Sequence, residues 1–342
     1  MRATEMKFSA TLPSKQLRAI ALLRTTYRNW FQIATRSLIR RSLDKIVLKD
    51  GTQINLAGNH ASLSTALRHY HRWYDPSIYN IVGLAQLLKH DWKVEVIDHD
   101  HILLSNGFDI RIKCRLNKGT DISLLAEIFV RKVYGDDFKG KTILDVGAYN
   151  GDSAIHFARR GADFVIGLEP DPQNYELAIE NLRLNKLEDQ VKLFNLALSP
   201  TPGESLFSTN STTPNISRLE QEGTENSGAL SVATTSVKEL IDYLRYLGLG
   251  RIDLMKMNCE GCEYGIIANM PPEVLESIQE IILEFHEGPR DLPEILARQG
   301  FQTKIKGRTF GYIRAFRTVR DDEPTQARLG VKSDEQTSIS AS

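Results

Sequence analysis

Residues 142–170 read TILDVGAYNGDSAIHFARRGADFVIGLEP, and the reading of this stretch decides the fold. Two short apolar runs, TILDVG and FVIGLEP, flank GDSAIHFARRG, whose apolar residues recur at helical spacing. Strand, glycine turn, helix and strand in that order form the unit from which parallel sheets with covering helices are built. The first run leads into Asp145, Gly147, Gly151 and Asp152. The glycines stand where the backbone must turn tightly, just before a helix N-terminus that favours negative charge.

The alternation continues downstream. Helix PQNYELAIENLRLN and strand VKLFNLAL follow, then helix SVKELIDYLRYL, strand IDLMKM, helix EGCEYGIIANM, strand EIILEF, helix DLPEILARQ and two strands around Gly307 to Phe316. The last two strands are too close in sequence for a crossover helix, which predicts an antiparallel pair. The fold class is therefore α/β, a doubly wound and mostly parallel sheet. Residues 200–228, rich in Pro, Gly, Ser, Thr and Asn, read as the longest loop of the sheet region, functional or disordered.

Upstream, residues 92–114 alternate apolar and polar on both sides of Ser105-Asn106-Gly107, which predicts a β-hairpin. A helix follows over 121–135, with Asp121 as its N-cap and Gly135 as its stop. From Ser14 to about Ser42 the apolar positions Ile20, Leu23, Tyr27, Trp30, Phe31, Ala34 and Leu38 predict one basic amphipathic helix. Residues 44–90 read as a small helical or mixed extension. The expected organisation is an N-terminal extension over 1–90, the main domain with its hairpin over 91–320, and a disordered polar tail over 321–342.

Lys plus Arg equals Asp plus Glu at 43 each, so no overall field favours nucleic acid. Residues 1–41 nevertheless hold nine Lys or Arg against one acid, Glu5. Two readings stay open for this segment: a solvated face on the protein's own domain, or peripheral contact with an anionic membrane surface or RNA backbone. Three cysteines, an odd number, argue against a disulfide scaffold and for a reducing compartment. With no apolar run near the roughly 18 residues of a bilayer span and no signal-peptide core, a cytoplasmic location is expected. Of the histidine patterns at His69 and His71 and at His99 and His101, the second sits in the alternating hairpin with no third clustered partner, and no metal is expected.

In an open α/β sheet the ligand lies outside the carboxyl ends of the strands. Gly147 and Gly151 are four residues apart, a spacing that disfavours a dinucleotide fingerprint. Glu169-Pro170 closes the second strand, with Glu169 24 residues beyond Asp145, where an acid accepts hydrogen bonds from ribose hydroxyls. Acids at both strand ends suit a nucleoside carrying a cationic group, as S-adenosylmethionine does.

LDVGAYNGD, GLEPDPQNYELAIENLRLN, NLALS and IDLMKMNCEGCEY together resemble the FkbM family of class I S-adenosylmethionine-dependent methyltransferases, from about Asp121 to His286. The resemblance implies a seven-stranded Rossmann-like fold and O-methylation of hydroxyls on sugars and polyketides, hence a small-molecule or glycan acceptor. It places Asp145, Gly147, Ala148, Tyr149, Gly151, Asp152, Glu169, Pro170, Asn195 and Ala197 at the cofactor. Tyr149 stands where the family often has Asn, and Asn258 replaces the usual Asp of its KxDxEG pattern.

IDLMKM reads as a buried strand, so Asn258, Glu260 and Glu263 emerge at its carboxyl end beside the expected methyl group. Cys259 and Cys262 then serve as small packing residues, although a Cys-x-x-Cys pair near a helix N-terminus also suits redox chemistry. A hydroxyl acceptor calls for a base, drawn from Glu260, Glu263, Glu284 and His286, with His286 preferred for its intrinsic pKa. Lys256 inside the same strand needs a partner, for which Glu284 is a candidate. Two rival functions remain. One is an RNA or protein methyltransferase, against which no Asn-Pro-Pro-Tyr-like motif follows the IDLMKM strand. The other is a cofactor-binding module without catalysis, suggested by Asn258.

Overall fold

The computed structural model describes residues 14–38, 45–55, 76–107, 109–116, 119–208, 218–219, 229–249 and 251–317. The expected tail over 321–342 and the basic residues at 2, 7, 40 and 41 lie outside them. Instead of one N-terminal helix there are two, α1 (Ser14–Thr26) and α2 (Trp30–Leu38). The break falls at Tyr27, which forms an antiparallel bridge with Leu48 and donates its buried hydroxyl to Ile81 O at 2.7 Å. Asn29 also leaves the helix, bonding Lys45 O and Val47 N of the short hairpin β1 (Lys45–Val47) and β2 (Gln53–Asn55). Leu23 and Ile33 are buried while Arg24 and Arg28 are exposed.

Helix α3 (Pro76–Lys89) leads into three strands rather than a two-stranded hairpin: β3 (Lys93–Val96), β4 (His101–Ser105) and β5 (Arg111–Arg115). The Asn-Gly turn joins the second and third, and the extra turn is closed by Asp98, whose carboxylate accepts from Asp100 N and His101 N. Helix α4 (Asp121–Phe129) ends earlier than expected, and Asp121 does not cap it. Its carboxylate is engaged by Arg115 instead. α3 and α4 cross so closely that a Cβ on Gly83 would stand 2.8 Å from Ser123 Cα.

The main sheet then forms from β6 (Thr142–Val146), helix α5 (Asp152–Arg159), β7 (Phe164–Leu168), helix α6 (Pro172–Asn185) and β8 (Val191–Phe194). The run VKLFNLAL splits at this point. β9 (Ala197–Leu198) leaves the main sheet and pairs in a second one with β10 (Gly203–Ser208), β11 (Arg218–Leu219) and β12 (Ala229–Thr235). The segment 200–228 is therefore partly strand, and its residues 209–217 and 220–228 lie outside those described.

Helix α7 (Val237–Tyr246), opened by a capping box between Ser236 and Glu239, leads to β13 (Leu254–Met257). Then come α8 (Cys262–Asn269), α9 (Pro272–Glu276), β14 (Glu280–Phe285), α10 (Leu292–Arg298), β15 (Gln302–Gly307) and β16 (Gly311–Phe316). The seven strands are ordered β15-β16-β14-β13-β6-β7-β8. β16 is antiparallel to both neighbours and the other pairings are parallel. The order reverses between β6 and β13, the point at which an open α/β sheet takes its ligand.

Side-chain alternation divides the core. Leu144, Val146, Met255, Met257, Ile281 and Leu283 point to one face, under α7 and α10. Ile143, Leu254 and Ile282 point to the other, where α4, α5 and the N-terminal residues Leu23, Tyr27 and Ile33 join the same core. Asp145, Lys256 and Glu284 fall on this second face by the same period of two. No helix among the described residues is long and apolar enough to cross a membrane.

Candidate active site

A cavity of about 290 Å³ lies at the carboxyl ends of β6, β7, β13 and β14. One end is built on the glycine loop. Gly147 has φ 77°, and a Cβ there would stand 2.0 Å from Asn258 O, so only glycine lets the loops after β6 and β13 approach this closely. Tyr149 follows in a left-handed conformation, φ 50°. Its N–H donates to Glu169 Oε2 at 2.8 Å, while Glu169 Oε1 accepts from Asp171 N at 2.9 Å. Burial pushes the Glu169 carboxyl up to about 7 against these bonds. Pro170, Asn174, Leu196, Ala197, Leu198 and Phe207 complete this end.

The loop is fastened from outside the main sheet. Arg115, at the end of β5, makes a two-nitrogen contact with Asp121 and donates to Asn174 Oδ1 at 2.8 Å. Asp121 accepts the Tyr149 hydroxyl at 2.5 Å, and the Arg115 guanidinium stacks 5.0 Å from the Tyr149 ring. All four residues are buried. Tyr149 thus has a structural use: its hydroxyl and ring tie the glycine loop to Asp121 and Arg115.

Several residues expected at the cofactor stand behind this wall rather than in it. Asp145 is fully buried, bonded to Ser153 Oγ at 2.6 Å and ion-paired with Lys256 Nζ at 2.9 Å. Lys256 also donates to Gly147 O at 2.7 Å. Asp145 and Lys256 are register partners on adjacent parallel strands, on the same face. Lys256 therefore pairs with Asp145 and not with Glu284, and it supports the loop instead of facing a substrate. Gly151 caps α5 with φ 85° against Ala178. Ala148 and Asp152 are buried, and burial pushes the Asp152 carboxyl up to about 7. Asn195 donates to Glu169 O and Pro170 O, bracing the turn that carries them.

The other end of the cavity is lined by Glu127, Asn258, Cys259, Glu260, Cys262, Glu284, His286 and Phe310. His286 Nε2 lies 3.4 Å from Glu260 and 3.9 Å from Glu284. Burial opposes a charge on this imidazole, yet the carboxylates of Glu263, Glu260 and Glu284 outweigh it and raise its pKa to about 9. Burial pushes Glu284, the cross-strand partner of Tyr312, up to about 7. At neutral pH these shifts leave the His286 imidazole protonated and the Glu284 carboxyl close to its titration point. Asn258 Oδ1 is buried with no hydrogen-bond partner among the described residues. Glu263 does not line the cavity; its Oε2 accepts from Gly261 N at 2.9 Å and holds the turn before α8. Cys259 and Cys262 are joined in a disulfide, so they are not two separate packing residues. Their sulfurs and Glu263 lie within 4.8 Å of one another, but sulfurs bonded to each other are not thiolate ligands.

Arg115, Glu127, Asn174, Phe207 and Phe310 escaped the sequence reading. Asn174 carried a signal, since it is the third residue after the N-cap Asp171 and such positions face back to the preceding strand end. The others come from elements distant in sequence and carry no local pattern.

Residues 145–304 match the model of the methyltransferase FkbM domain, in agreement with the resemblance read from LDVGAYNGD and MKMNCEGCEY. The chain is 26% identical over 228 residues to the AMB antimetabolite synthetase AmbE of Pseudomonas aeruginosa, which covers 53% of this chain and 10% of that protein. It is 41% identical over 58 residues to the ribosomal protein L11 methyltransferase of Tolumonas auensis, covering 17% of this chain and 20% of that one. The chain thus spans a fifth or less of the length of these two curated relatives. Among solved structures, methyltransferase FkbM from Methylobacillus flagellatus is 12% identical, with a TM-score of 0.39 over 70% of this chain and 55% of that one.

Proposed function

Because the chain carries a methyltransferase FkbM domain at residues 145–304, we propose that it transfers a methyl group from S-adenosylmethionine to a hydroxyl of a sugar, glycolipid or polyketide-like acceptor. The observation that carries this reading is one cavity that joins the glycine loop and Glu169 to Glu284 and His286.

The residues present fit the cofactor. Gly147 lets the loop after β13 pack directly on the glycine loop, where any side chain would strike Asn258 O, the Glu169 carboxylate offers acceptor capacity between two strand ends, and Asn258 Oδ1 is a buried acceptor with no hydrogen-bond partner among the described residues. Gly147, Tyr149, Glu169, Pro170, Asn174 and Ala197 would hold it. When bound, it supplies an electrophilic methyl group on a cationic sulfur.

The chain's own residues do the rest. Leu168, Leu196, Leu198 and Phe207 exclude water from one wall. Glu284 takes the hydroxyl proton, its pKa near 7 matching the task at neutral pH. His286, held as a cation, orients Glu284 by its charge from 3.9 Å or donates a hydrogen bond to the acceptor, and the whole site's holding of both reactants in line is worth about 7 to 11 kcal/mol of barrier in favourable cases.

The test is calorimetry with S-adenosylmethionine followed by mass spectrometry of sugar, lipid and polyketide acceptors incubated with methyl-labelled cofactor. Labelled hydroxyl ethers support the reading; no cofactor binding removes it. A protein acceptor is the second reading, favoured by the identity with the ribosomal protein L11 methyltransferase, and the same label recovered on protein would select it. Tight binding without consumption would point to a non-catalytic module.

A further inference from the structure

We propose that Cys259 and Cys262 form a reversible thiol–disulfide couple whose redox state sets the geometry of the reacting end of the cavity. The inference rests on the functional reading above only for its effect on turnover.

The two sulfurs are bonded, half-buried and part of the cavity lining. The bridge closes a four-residue ring whose two central residues, Glu260 at φ 55° and Gly261 at φ 109°, both take positive backbone angles. A left-handed conformation costs a non-glycine residue about 1 to 2 kcal/mol, so a constraint is needed to keep it. The constraint here comes from the bridge and from Glu263, which accepts from Gly261 N at 2.9 Å. Glu260 rides on this ring, and its carboxylate is the group 3.4 Å from His286. Cys114, the remaining cysteine, is fully buried far away in β5 and takes no part.

The chemistry balances. One dithiol reductant gives two electrons and two protons, the S–S bond breaks, two S–H bonds form, and the reductant leaves as its own disulfide. Once unbonded, the sulfurs separate to van der Waals distance. The ring then loses its closure, Glu260 relaxes from its left-handed angle, and the Glu260–His286–Glu284 cluster loosens. The oxidised form is therefore the more active one.

The experiment uses the full chain in buffers of graded dithiol-to-disulfide ratio, read by thiol alkylation and mass spectrometry, with turnover measured at each point. Expected are a two-electron transition confined to Cys259 and Cys262 and a turnover about fivefold or more lower in the reduced form, the low end of ordinary coupling between sites. The Cys259→Ser/Cys262→Ser variant should stay at the lower rate in every buffer. A pair that never interconverts, turnover unchanged or raised by reduction, or a zinc ion retained by both sulfurs in the purified chain would each overturn the proposal. If no acceptor is methylated in either state, that failure belongs to the functional reading. The couple is then decided by titrating it with and without S-adenosylmethionine. A fivefold linkage shifts its midpoint by about 20 mV, and an unmoved midpoint rejects the coupling.

Discussion

Lys256 Nζ sits 2.9 Å from the Asp145 carboxylate beneath the glycine loop, with neither side chain open to solvent. Removing one member leaves the other as an uncompensated buried charge, which costs about 3 to 5 kcal/mol. Lys256→Met should therefore lower stability to urea by that order, and Lys256→Met/Asp145→Asn should recover part of the loss. Additive losses in the double variant would show that the two do not act as a pair.

Gly147→Ala meets Asn258 O at 2.0 Å from a left-handed position. The loops after β6 and β13 must separate, and the cavity loses its shape at the proposed cofactor end. Affinity for S-adenosylmethionine should fall at least about tenfold, the equivalent of 1.4 kcal/mol, with the sheet still folded by circular dichroism. Undiminished binding would place the cofactor elsewhere.

Tyr149→Phe removes the hydroxyl that donates to Asp121 while keeping the ring against Arg115. A buried acceptor deprived of its donor costs about 1 to 3 kcal/mol. Thermal unfolding should register that loss, and cofactor affinity should weaken as the loop loosens. A variant as stable as the parent would detach the accessory strands from the loop's support.

Glu284→Gln keeps the shape of the side chain and abolishes its basicity. Turnover should drop by about 10² to 10⁴, the usual contribution of a general base, with S-adenosylmethionine affinity retained. In the parent chain, turnover should rise with pH through about 7 as Glu284 ionises. A variant at parental rate would remove Glu284 from the mechanism.

His286 gives stability its own pH dependence. Its pKa is raised from 6.5 to about 9 in the folded chain, so the native state binds more protons than the unfolded state between those values. The stabilisation is complete below pH 6.5 and is lost as pH rises through 9, up to about 3 kcal/mol. Denaturant midpoints should fall across this interval and fall less in His286→Gln. Equal slopes would show that the imidazole is not held charged.

Much of the fold was legible because strands and helices are written in local periods. TILDV, FVIGL, LMKM and EIILEF are near-continuous apolar runs, as strands buried on both faces tend to be, broken by Asp145, Lys256, Glu280 and Glu284, and each emerged where it was expected. The cavity's position followed from the same pattern, since a doubly wound sheet opens at its switch point. Where reading failed, tertiary contact had overridden a local signal. Tyr27 breaks a regular amphipathic helix because Leu48 and Ile81 offer it better partners. Asp121 forsakes a capping role because Arg115 is within reach.

The sequence by itself determined the order of elements, the antiparallel closing strand and the loops that carry the site, all of which depend on residues within a turn or two of one another. Only the tertiary structure decided that Lys256 meets Asp145 rather than Glu284, that Arg115 reaches Tyr149, that the two cysteines are joined, and that carboxylates raise the His286 pKa while burial raises that of Glu284. Those outcomes depend on strand register and burial across more than a hundred residues in the Lys256–Asp145 case, and the field at a buried group is the sum over neighbours that no stretch of sequence contains.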